Sequence, residues 1–200
     1  MIKTYIRNAS QTPLTEHNLS LVSESRREKI ERLHHERDKR LSLAAGLLVH
    51  FVFGKSEPLV SEYGKPYISG EREFNLAHSG DYAILSVGES TPLGCDIERM
   101  RSVDPFRIGK IVFCEAELKA LSNARDKCDV FFTLWTKKEA FIKCVGEGFH
   151  LAAKSVDLSS PENTVVHNGV RYFFKEYMLT DYKIMICSTE NNFASDIQSV

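Results

Sequence analysis

The sequence predicts an α+β fold made of two similar α+β halves, residues 1–90 and 91–200, with a functional cleft between them. Three observations predict it. Each half runs through an exposed-looking polar helix and an apolar helix, then closes on two strand-like segments joined by a turn. No low-complexity stretch or long linker divides the halves, so they should pack face to face, and a cleft between packed halves is a common ligand site. Two hundred residues are enough to bury a sizeable core.

The elements follow in order. "IKTYIR" alternates apolar and polar residues, as a short strand does. "SESRREKIERLHH" is polar with Ile30 and Leu33 at helical spacing, an exposed helix. "DKRLSLAAGLLVHFVFG" is a strong helix that opens near Asp38 and stops at Gly54. Gly64 and Pro66 make "EYGKPYI" a turn that leads into an extended piece. "FNLAH" and "YAILSVG", joined by Ser-Gly-Asp, form a hairpin. The boundary between halves falls near residues 88–93. "CDIE" is a short strand, and Asp104 with Pro105 starts a helix as cap and first helical residue. "FCEAELKAL" begins another. Asp129 is placed to cap the helix through "FFTLWTKKEAFIK", which Gly146 ends. "YFFKEYML" and "YKIMICS" form a second hairpin, and the tail "NNFASDIQSV" is expected to be frayed or loosely docked.

Composition narrows the partners. Hydrophobic residues at 42% and charged residues at 26% are those of an ordinary globular protein. A net charge of −1 provides no whole-molecule field toward nucleic acid or a membrane, so neither is expected as a partner. The longest apolar stretch, "LAAGLLVHFVF", is too short for a bilayer, and "MIKTYIRNAS" lacks a signal-peptide core. Cysteines 95, 114, 128, 144 and 187 are scattered without a C-x-x-C, which reads as reduced thiols in the cytoplasm.

Chemistry concentrates in a few places. On a strand, Asp96 and Glu98 share one face while Cys95 and Ile97 share the other. Two carboxylates so placed repel unless water screens them or a cation sits between them. Mg²⁺ fits as an oxygen-seeking ion, but a solvated strand edge is the commoner reading of a lone D-x-E pair. On the helix of the second half, Phe131, Leu134, Trp135, Phe141, Ile142 and Val145 make one apolar face. Lys138 falls in the middle of that face and needs a carboxylate or an anionic ligand as partner. Glu139 and Lys143, four apart, are either a surface ion pair or a third carboxylate with an amine for phosphate. Lys65 sits on a rigid turn. His78, Ser79 and the Ser79 and Gly80 amides form a hairpin loop able to hold an anion. Arg26, Lys29, Lys39 and Arg40 lie on the first two helices.

Taken together, "YGKPYI", "FNLAHSG", "GCDIE" and "LWTKKEAFIKCVGEG", in that order, resemble the 4′-phosphopantetheinyl transferase superfamily. The likeness is to its larger, monomeric, two-half type and covers roughly residues 20 to 187. Both signatures, G-x-D-I-E and W-x-x-K-E-A/S-x-x-K, are complete. The resemblance implies transfer of 4′-phosphopantetheine from coenzyme A to a serine of an apo acyl or peptidyl carrier protein, releasing 3′,5′-ADP. It implies Mg²⁺ held by Asp96, Glu98 and Glu139, with catalytic roles for Asp96, Glu139 and Lys143. Glu139 is the candidate base, directly or through a metal-bound water. Coenzyme A contacts are implied for Lys65, His78, Ser79 and Lys138, with His78 at the 3′-phosphate, and for Arg26, Lys29 and Arg40 among the basic residues of the first helices. Glu117 matches a further acidic position, and it also sits where a capping-box glutamate would. Ala77 stands where many members have Ser. The alternative is a non-catalytic coenzyme A-binding module of the same fold, which would predict loss of Asp96, Glu139 or Lys143; all three are present.

Overall fold

The hairpin around Ser79 shows how local signals become architecture. In the computed structural model, which describes residues 1–148 and 153–200, strands β4 (Phe74–Ser79) and β5 (Tyr82–Val87) pair antiparallel through a two-residue turn. Gly80 takes φ +61° there, and a Cβ on it would run into the Tyr182 hydroxyl and Arg99. Strand β1 (Lys3–Asn8) lies antiparallel to β5. Helix α1 (Glu16–Leu21), which was not anticipated, starts at Thr15, whose side chain accepts from the Asn18 amide (3.2 Å). Helix α2 (Glu24–Arg32) buries only Ile30, as its polar pattern required. Helix α3 (Glu36–Phe53) runs into Gly54 and covers β1 and β5 with Ala44, Ala45, Leu48 and Val49. A small ribbon, β2 (Leu59–Val60) and β3 (Pro66–Tyr67), follows it.

The rest of the chain repeats this order. Strand β6 (Leu93–Arg99) leads into α4 (Pro105–Val112), α5 (Glu115–Asn123) and the long α6 (Lys127–Val145). Strands β7 (Thr164–His167), β8 (Val170–Leu179) and β9 (Tyr182–Ser188) close it. In both sheets the leading strand pairs with the last strand of the hairpin, giving β1-β5-β4 and β6-β9-β8-β7. The β7–β8 hairpin turns on Asn168-Gly169, both at positive φ. That Asn-Gly pair is a type I′ turn signal present in the sequence.

One core joins the two sheets. Ile2, Ile6, Ala77 and Ile84 from the first meet Cys95, Ile97, Tyr182, Ile184 and Ile186 from the second. Strand β4 lies beside β6, where the Asn75 side chain accepts from the Cys95 amide (2.9 Å). Three sequence expectations are corrected. The tail is docked, because β10 (Gln198–Ser199) pairs parallel to β1, Phe193 and Ile197 pack on the shared core, and Tyr177 donates to the Ala194 carbonyl (2.7 Å). Its apolar residues and unpaired backbone groups find the open edge of β1. Asp126, not Asp129, caps α6, and Asp129 instead pairs with Lys183 (2.7 Å). Helix α6 does not have a single apolar face: Phe132, Lys137, Lys138, Ala140 and Cys144 are buried with Phe131, Leu134 and Phe141. It is held between the second sheet and the α4–α5 pair, so nearly its whole circumference meets protein.

Candidate active site

The site begins with a missing side chain. Helix α6 crosses β6 at Gly94, where a Cβ would collide with the Ala140 carbonyl and the Cys144 amide. Only glycine permits that approach, and it brings the acidic face of β6 directly under α6. Trp135, Glu139 and Lys143 stand in one i,i+4 row on the helix. The Trp135 indole donates to Glu98 (3.3 Å) and the Lys143 ammonium to Asp96 (2.6 Å). Helix and strand therefore run oppositely, with Glu139 between the two contacts. Cys95 and Ile97 face the core, as strand alternation requires.

The electrostatics are those of a crowded acidic site. Asp96 is only 5% exposed, and its second oxygen, Oδ2, is buried without a hydrogen-bond partner. Burial pushes its carboxyl up to about 7; Lys143 opposes the shift, while Glu98 and Glu139 add to it. Burial also raises Glu139, opposed by Lys143 and reinforced by Glu98. Among the described residues no hydrogen-bond donor engages the Glu139 carboxylate. Burial works most strongly against the charge of Lys143, but Asp96, Cys95 and Glu139 together outweigh it and hold the ammonium above the usual lysine range. Glu98 accepts from the Ser79 hydroxyl (2.8 Å) at its other oxygen, so β4 of the first sheet reaches the site.

Two cavities flank these groups. One of about 220 Å³ is walled by Tyr63, Lys65, Asn75, Lys143 and Gly146. In it Lys65 binds Glu73 (2.5 Å) and the Leu93 carbonyl (3.0 Å). The other, also about 220 Å³, is lined by Arg26, Lys29, Asp38, Ser42 and His78. Solvent reaches the His78 ring, yet the protein crowding it, then the charges of Lys29, Arg26 and Lys143, hold it below the usual histidine range. The Ser42 hydroxyl is buried without a partner at this cavity; nothing in its sequence context marks it.

Two expected ligand residues stand elsewhere. Lys138 is 3% exposed and directs its three hydrogens to Glu117 (2.8 Å) and to the carbonyls of Ala153 (2.6 Å) and Val156 (2.9 Å). A fully used, buried ammonium has nothing left for a phosphate, so the coenzyme A contact expected of Lys138 is corrected. Glu117, fully buried, also accepts from the Cys114 and Leu158 amides (2.9 and 3.0 Å), completing the capping box of α5. Arg40 also stands apart from His78. Its guanidinium is taken by Glu36 (2.6 Å) and the Ser10 carbonyl (3.3 Å), on a cavity that His78 does not line. The structure thus gathers Arg26, Lys29 and His78 in one place, Lys65 and Lys143 in a second, and Asp96, Glu98 and Glu139 between α6 and β6.

Among the described residues, one His/Cys/Asp/Glu group has ligand atoms all within 4.8 Å of one another: Cys114, Glu117 and Asp157. Lys138 already balances the charge there. Asp96, Glu98 and Glu139 are less tightly gathered, but the orphaned Asp96 oxygen is a buried acceptor that a cation would satisfy.

An acidic strand lies under a helix that carries lysine and glutamate, and likeness to known proteins assigns the chain a family. The profile of the 4′-phosphopantetheinyl transferase superfamily matches residues 92–189. The chain is 31% identical to the Bacillus subtilis 4′-phosphopantetheinyl transferase ffp, over 93% of this chain and 90% of that one. It is 31% identical to 4′-phosphopantetheinyl transferase Sfp of Bacillus subtilis strain 168, over 91% and 88%. It is 35% identical to 4′-phosphopantetheinyl transferase AcpT of Salmonella typhimurium, over 62% and 67%. The chain belongs to the 4′-phosphopantetheinyl transferase superfamily and is an enzyme of that class.

Proposed function

We propose that this protein transfers 4′-phosphopantetheine from coenzyme A to a serine of an apo acyl or peptidyl carrier protein and releases 3′,5′-ADP. The observation that carries the reading is the Asp96–Lys143 contact beside Glu98 and Glu139, with one Asp96 oxygen buried and unpartnered. Asp96, Glu98 and Glu139 would hold Mg²⁺, which when bound neutralises charge on the pyrophosphate. The remaining work falls to side chains.

Arg26, Lys29 and His78 line a cavity suited to the 3′-phosphate, and an anion there would oppose the depression of the His78 pKa. Lys65 and Lys143, on the other cavity, face the pyrophosphate and the arm. The carrier serine oxygen attacks the phosphorus bearing pantetheine. The phosphorus–oxygen bond to the adenosine-side phosphate breaks, and its electron pair leaves with 3′,5′-ADP. Lys143, held charged by Asp96, stabilises that developing charge. The serine proton passes to Glu139, directly or through a water.

The reading places the protein in the cytoplasm as a monomer, with residues 1–90 and 91–200 as the halves flanking the cleft, and with neither nucleic acid nor membrane as partner. No helix among the described residues is long and apolar enough to cross a membrane. The test is to incubate the chain with coenzyme A, Mg²⁺ and several apo carriers, then weigh the carriers by mass spectrometry. Gain of one phosphopantetheine mass supports the reading, and no gain with any carrier refutes it.

A further inference from the structure

Glu98 is held from two sides by residues with no part in the chemistry above. The Ser79 hydroxyl accepts from the Arg99 amide (3.1 Å), which turns its single hydrogen toward Glu98 Oε2 (2.8 Å). The Trp135 indole, a donor only, reaches Oε1 (3.3 Å). One donor comes from β4 of the first sheet and the other from α6. The need for such holding is electrostatic. Asp96, Glu98 and Glu139 repel one another, and a glutamate with three rotatable bonds would otherwise swing to solvent. Asp96 has Lys143 to keep it in place, whereas Glu98 has only these two neutral donors among the described residues.

We infer that Ser79 and Trp135 are positioning residues that hold Glu98 in the orientation from which it takes a divalent cation, and that Ser79 links the hairpin bearing His78 to the acidic strand. This reassigns the Ser79 hydroxyl from the phosphate contact expected of it. The inference rests on the proposed function in one respect, the cation at Glu98.

Trp135 is the chain's single tryptophan, so its emission reports directly on Glu98. The experiment titrates Mg²⁺ into the full chain with coenzyme A present, following indole emission, for wild type, Ser79→Ala and Ser79→Thr. Coenzyme A affinity is measured separately by calorimetry. Loss of a hydrogen bond that orients a metal ligand should raise the Mg²⁺ midpoint of Ser79→Ala about tenfold or more. Ser79→Thr should restore the midpoint, while coenzyme A affinity should move by less than about twofold. Trp135→Phe, read by calorimetry, should also weaken Mg²⁺. An unchanged midpoint in Ser79→Ala overturns the inference. So does a loss of coenzyme A affinity with the midpoint intact, since the hydroxyl would then serve the phosphate. If the alanine variant does not fold, an unshifted Mg²⁺ midpoint in Trp135→Phe overturns the inference instead. A wild type that transfers nothing sinks the proposed function; a wild type that transfers and titrates, beside an unshifted variant, sinks only this inference.

Discussion

Helix α6 carries two lysine–carboxylate pairs five residues apart on the same element, and they have opposite characters. Lys138 and Glu117 are sealed from solvent, and every donor and acceptor around them is used. Lys143 and Asp96 sit at a cavity wall, and Asp96 keeps one oxygen buried and unpartnered. A complete network fixes structure, because removing any member leaves a buried charge or dipole exposed to low dielectric. An incomplete one retains capacity for a ligand, and its charges are tuned by that incompleteness. The first pair pins the segment around residues 153–158 to α6; the second stands at a cavity wall.

The comparison breaks most visibly under Lys138→Met. Glu117 would be left buried without a counter-charge, and denaturant unfolding should show a loss of about 3–5 kcal/mol. Lys143→Met should cost far less stability, since Asp96 can take up a proton near neutral pH, but should abolish transfer. Equal stability losses for the two variants would erase the distinction. Next in size, Glu139→Ala should slow transfer about a hundredfold or more at an unchanged melting temperature, read from carrier mass and a thermal scan. A near wild-type rate refutes the base assignment.

A third measurement uses pH. The Asp96 carboxyl rises from 3.8 to about 7 on folding, chiefly through burial, so between those values the folded chain binds the extra proton. Its contribution to stability therefore falls as pH rises from about 4 to about 7. Asp96→Asn should be at least as stable as wild type at pH 8, and the gap should close toward pH 4; a variant that is less stable at pH 8 contradicts the burial argument. The smallest effect is expected of His78→Ala, which should raise KM for coenzyme A about tenfold with little change in kcat. An unchanged KM removes His78 from the cofactor site.

Much of the fold was legible, because its signals are local. The Ser-Gly-Asp hairpin, Asp104-Pro105 at a helix start, and Gly54 and Gly146 at helix ends follow from backbone geometry within a few residues. The tail was misread because its strand forms only on the edge of β1, nearly the whole chain away. At the site, alternation along β6 put Asp96 and Glu98 on one face and helical spacing put Glu139 beside Lys143, but only the family resemblance joined the two sets. Spacing could not say that Lys137 would be buried too, giving its hydrogens to the carbonyls of Leu158, Ser160 and Glu162 (3.3, 3.2 and 3.2 Å).

The sequence by itself determined the order of elements and the stock of acids and amines on them, since periodicity and caps are properties of neighbouring residues. Only the tertiary structure decided which lysine meets which carboxylate. Lys138 reaches Glu117 across 21 residues and Lys143 reaches Asp96 across 47. Partners so distant are chosen by how α6 settles on β6, and that depends on the bare backbone at Gly94 and on α5 closing the far side. The same packing turned the lysine in the apolar stripe into part of the framework, and left Lys143, five residues on, at a cavity wall.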